Sequence, residues 1–178
     1  MHFGAGRVAD ALGVSRQSLG HLASDLLSDR PPRKHHNFTP AEVLWLACFR
    51  YARASGLEAW PARVFVGSGG MRLLLEALLD RAAPDPAEAV KRLRNVPLLF
   101  GARFSFFEDQ LGTHLAGEPL LIEAQRVPAK LTEPCVSAAF LGGNDGSLAH
   151  LTTFLTPLRQ PLNVLGRLIE ENANVAEP

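Results

Sequence analysis

Val8, Leu12, Leu19, Leu22 and Leu26 recur at helical spacing, but Gly13-Val14-Ser15 interrupts them. Glycine supplies the positive φ that a tight turn after a helix requires. Ser15 then stands where a helix N-cap belongs. The pattern predicts a short helix over Arg7–Leu12, a turn, and a second helix over Arg16–Leu27. Asp29–Phe38 is polar and basic, and Pro31-Pro32 forbids helix there, so a loop or short hairpin is expected. A third helix opens at Thr39, with Pro40 in the first helical position and Glu42 completing a capping box. Its apolar face is Val43, Leu44, Ala47, Cys48, Tyr51 and Ala52, and Ser55-Gly56 ends it. Leu57–Phe65 predicts a short fourth helix.

Glycines at 67, 69 and 70 mark the clearest boundary in the chain. It separates residues 1–66 from 71–178, with 67–70 as a Gly-rich joint. Met71–Ala82 reads as a helix with Leu73, Leu74, Leu75, Leu78 and Leu79 apolar. Ala83-Pro84-Asp85-Pro86 breaks it, and Pro86–Arg94 follows with Ala89, Val90 and Leu93 inward. Beyond Asn95 the pattern turns to strand: Leu98–Phe100, Phe104–Phe107, Leu120–Val127 and Cys135–Leu141, with Gly101 at a bulge. Asn144-Asp145-Gly146 signals a turn. Leu148–Leu155 fits strand or helix equally, and Pro161–Asn172 closes the chain as a helix. The fold class is therefore α+β: an all-α N-terminal unit followed by a mixed α+β unit.

A chain of 178 residues has room for one medium domain or two small ones, and 47% hydrophobic with 20% charged residues supports a packed core. No apolar run approaches the ~18 residues of a membrane helix, and the N-terminus lacks the pattern of a secretory signal. Cys48 and Cys135 have no metal-ligand spacing, and a reducing, cytoplasmic setting is expected. Net charge is zero, yet unevenly spread. Met1–Val64 carries eight Lys/Arg against five acids, and the remainder ten against thirteen. The front of the chain is the half suited to an anionic partner.

The opening segment has the spacing of a DNA-binding helix-turn-helix, with Ala9 as the small packing residue and Gly13 at the turn. Leu19 and Leu22 are the anchors of the second helix, and Val8, Leu12 and Val14 fill the small core. Ser15, Arg16, Gln17, Ser18 and His21 are then left at the amino end of a recognition helix. Arg reads guanine edges and Gln adenine edges in the major groove, and hydroxyls at a helix N-terminus suit phosphate. ADALGVS, RPPRKHHNFTPAEV and ASGLEAW, in that order, resemble the winged-helix DNA-binding domain of the MerR family over about Gly6–Val64. The resemblance implies a winged helix-turn-helix fold and duplex DNA as partner. It further implies a wing carrying Arg33, Lys34, His35 and His36 against phosphate or the minor groove. Where the family usually carries an arginine-tyrosine-tyrosine run, this chain has Leu19-Gly20-His21-Leu22, and it lacks a long C-terminal heptad helix.

His35-His36 has no Cys or acid at ligand spacing, so no metal or other cofactor is expected. Ser137, Ser147 and Asp145 with His150 invite a hydrolase reading, as do Glu108 with His114, but no G-x-S-x-G elbow supports one. Gly67–Arg72 precedes a helix but lacks the adjacent lysine-serine/threonine pair of a nucleotide loop. Phe100, Phe104, Phe106 and Phe107 exceed what one strand face buries, which points to a dimer contact, with a small apolar effector as the second reading. The expectation is a dimeric, sequence-specific DNA-binding protein acting in transcription rather than an enzyme. A protein-interaction adaptor built on the aromatic half is the alternative, followed by an enzyme with its site in that half.

Overall fold

The structure is a computed structural model and describes residues 1–26, 37–54, 69–109, 112–123, 135–142 and 148–176. The chain runs β1 (Phe3–Gly4), α1 (Ala5–Leu12), α2 (Arg16–Leu26), β2 (Asn37–Phe38) and α3 (Pro40–Ala54). It continues through α4 (Gly69–Ala82), α5 (Pro86–Leu93), β3 (Leu98–Asp109), β4 (Gly112–Glu123), β5 (Cys135–Gly142), β6 (Leu148–Pro157) and α6 (Arg159–Ala176). The class is α+β. Among the described residues no helix is long and apolar enough to cross a membrane.

The break after α1 is a closed turn. Gly13 has φ 63° and ψ 42°, the left-handed conformation. Its N–H donates to the Asp10 carbonyl at 3.0 Å, and the Val14 N–H to the Ala9 carbonyl at 2.9 Å. These two bonds are a Schellman pair and satisfy the last carbonyls of the helix. A side chain at position 13 would meet only Arg50 Nη2, at 3.6 Å, an ordinary contact. The cost of Gly13→Ala is thus backbone strain alone. It is expected to be about 1–2 kcal/mol, read as a lower urea midpoint with an unchanged slope.

α3 starts on the expected capping box. The Thr39 N–H donates to Glu42 Oε2 at 2.8 Å, and the Glu42 N–H to Thr39 Oγ1 at 3.3 Å. The helix is buried on more than the expected face: Trp45, Leu46 and Phe49 are also enclosed, while Tyr51 is half-buried. A single helical stripe understates a helix packed on several sides, and α3 contacts α1, α4 and α6. On α4, Met71, Leu75 and Leu79 face the core, whereas Leu73 and Leu74 are 58% and 37% exposed. α4 begins at Gly69, so two of the three glycines assigned to the joint lie in its first turn.

Two short strands qualify the all-α expectation for the front of the chain. Phe3 pairs with Phe38 and Gly4 with Asn37. The exit of the basic segment is thus paired with the N-terminus, and the rest of the expected loop or hairpin lies outside the described residues. The larger sheet has the order β4-β3-β6-β5 and is antiparallel throughout. β3 is one strand rather than two, and Gly101 pairs with Leu120 in unbroken register, without a bulge. β4 begins earlier than expected, at Gly112, and Leu148–Pro157 is strand.

α6 returns to the helices. The Leu158 N–H donates to the Leu98 carbonyl at 2.9 Å, and α6 then packs on α1, α3 and α5 through Leu158, Leu162, Leu165, Leu168 and Ile169. It begins before Pro161, because proline is tolerated in a first turn whose N–H groups lack intrahelical partners. One cluster of buried side chains runs from Phe3 to Ile169 and includes Leu98 and Phe100 of β3. The sheet is thereby tied to the helical body at one end.

Candidate nucleic-acid interface

α2 is fastened to the body by Leu19 and Ala23, both buried, with Leu22 half-buried. At about 100° per residue, Gln17 and His21 share the face opposite those anchors. Ser15, Arg16, Gln17, Ser18 and His21 are all exposed. Ser15 is the N-cap: its Oγ accepts the Ser18 N–H at 3.0 Å and lies 2.8 Å from the Ser18 hydroxyl. Both hydroxyls thus already serve the first turn.

Arg16 does not point straight outward. A Cβ placed on Gly6 would stand 2.7 Å from Arg16 Nη2, so this guanidinium rests across the first turn of α1. Gly6 is two residues from Gly4, the partner of Asn37. The end of the basic segment, the start of α1 and Arg16 are therefore neighbours. Arg33, Lys34, His35 and His36 lie outside the described residues, as do the predicted Leu57–Phe65 helix, Asp145 and Ser147.

Two side chains that spacing did not reveal make long-range bonds on α1 and the turn after it. Arg50 of α3 donates from Nη2 to the Gly13 carbonyl at 3.1 Å, steadying the turn. Arg7 of α1 donates from Nη1 to Asn172 Oδ1 of α6 at 2.8 Å. These partners are 37 and 165 residues apart, beyond any periodic signal. Gly6 carried no cue, because the spacing starts the first helix at Arg7, whereas α1 begins at Ala5.

No family model, curated protein or solved structure matches the chain.

The remaining chemistry is sparse. Among the described residues no group of three or more His, Cys, Asp or Glu could hold a metal. Cys48 is buried, and burial pushes its thiol pKa well up, so it is held as the unreactive thiol. In the sheet, Phe107 pairs with His114 and Glu108 with Thr113. Strand alternation therefore puts positions 108 and 114 on opposite faces, which disfavours a paired acid and base there. The same register places positions 100, 104, 106, 140 and 154 on one face, all of them phenylalanine.

Proposed function

We propose that this is a sequence-selective duplex DNA-binding protein with a MerR-like winged helix-turn-helix, acting as a dimer in transcription. The observation that carries the reading is the juxtaposition at the amino end of α2. Exposed Gln17 and His21, Arg16 lying across Gly6, and the exit of the basic segment at Asn37 share one region. Gln17 and His21 would enter the major groove, where amide and imidazole groups meet base edges. Arg16, on the flank, would hold phosphate, as would Arg33 and Lys34, with His35 and His36 beside them. The amino end of α2 has no acid in its first turn to oppose a phosphate. Phe100 is buried in the cluster shared with the helices, and the phenylalanine positions 104, 106, 140 and 154 farther along the same sheet face support a self-association surface, which would set two recognition helices on an inverted repeat.

Gel-shift titration at two salt concentrations tests the division of labour. Gln17→Ala is expected to cost about 1–3 kcal/mol on a preferred duplex and little on others. Arg16→Ala is expected to weaken all duplexes alike. Unchanged binding by both variants would remove the reading.

A further inference from the structure

A cavity of about 250 Å³ lies between α1, α3 and α6. Leu12, Ala47 and Val164 form its apolar floor, and Arg50, Tyr51 and Gln160 bring the polar groups. Its volume is below the ~300–1,000 Å³ of pockets for drug-sized ligands, which selects a small, compact molecule. Among the described residues Arg50 is the only charged one lining it, and no carboxylate does. The hydrogen bond from Arg50 to the Gly13 carbonyl uses one guanidinium N–H and fixes the group in place. The remaining donors suit the planar fork of a carboxylate. Gln160 and Pro161 come from the first turn of α6, which holds no acid, so that wall adds positive rather than negative potential. Ala54, one of the lining residues, is itself exposed.

We infer that this cavity is a binding site for a small monocarboxylate with a compact apolar body. The carboxylate sits on Arg50, and the apolar part lies on Leu12, Ala47 and Val164 beside the Tyr51 ring. The site stands independently of DNA binding.

Tyr51 is the one tyrosine of the chain, so tyrosine-selective isotope labelling reports this cavity by NMR in the intact protein. Benzoate and hexanoate are expected to shift the Tyr51 ring signals saturably. Benzamide, with the same body and no charge, is expected to bind about ten- to a hundredfold more weakly. Arg50→Gln is expected to impose a similar loss for benzoate. Because that variant also releases the Gly13 carbonyl, Ala54→Trp provides an independent arm. It fills the cavity from its exposed rim, keeps Arg50, and is expected to abolish the benzoate shift. The inference is overturned if neither carboxylate gives a saturable shift, if benzamide matches benzoate, or if benzoate binds Ala54→Trp undiminished.

Discussion

Phe100→Ala is expected to destabilise the whole chain by about 3–5 kcal/mol, the cost of removing a fully buried phenylalanine. Phe100 is 0% exposed. It stands on β3, between Leu121 of β4 and Thr156 of β6. It also belongs to the cluster that holds Phe3, Met71, Leu158 and Ile169. Its ring is thus among the side chains that join sheet to helices. A loss of this size is a large share of the ~5–15 kcal/mol that stabilises a typical domain. Urea unfolding followed by circular dichroism and by tryptophan fluorescence should show one coincident transition, moved to lower urea. Two separated transitions, with only one displaced, would mean that the sheet and the helices do not share a core energetically.

The second large effect concerns DNA and the basic segment. Replacing Arg33 and Lys34 together by alanine is expected to weaken binding to every duplex. The slope of log affinity against log salt falls by about 0.9 for each phosphate contact removed, so roughly two units are lost here. Gln17→Ala should leave that slope in place while relaxing sequence preference. Filter binding over a salt series reads both quantities. An unchanged slope in the double variant would place the phosphate contacts elsewhere.

Local features proved the most legible in the sequence. The Gly13 turn, the Ser15 cap and the Thr39–Glu42 capping box each depend on residues within a few positions, and each forms as its residue types require. Ala89, Val90 and Leu93 likewise face inward as their spacing dictates. Features set by distant partners were not legible. Burial around α3 exceeds one stripe because α1, α4 and α6 enclose it. Phe3–Gly4 becomes a strand only because Asn37–Phe38 pairs with it. At the candidate site, composition marked Arg16 as exposed and polar but not that its guanidinium lies on Gly6. The Arg50 contact with Gly13, and the cavity beside it, arise from the meeting of three helices that no local window contains.

The central claim is that the α1–α2 corner presents a sequence-reading surface to duplex DNA. Selection from a random duplex library with the purified full chain tests it most directly. Enrichment of an inverted repeat is expected, with half-sites about one helical turn, roughly 10 base pairs, apart. Gln17→Ala is expected to degrade that consensus while the protein remains folded. No enrichment over the input library by the folded wild-type chain would contradict it.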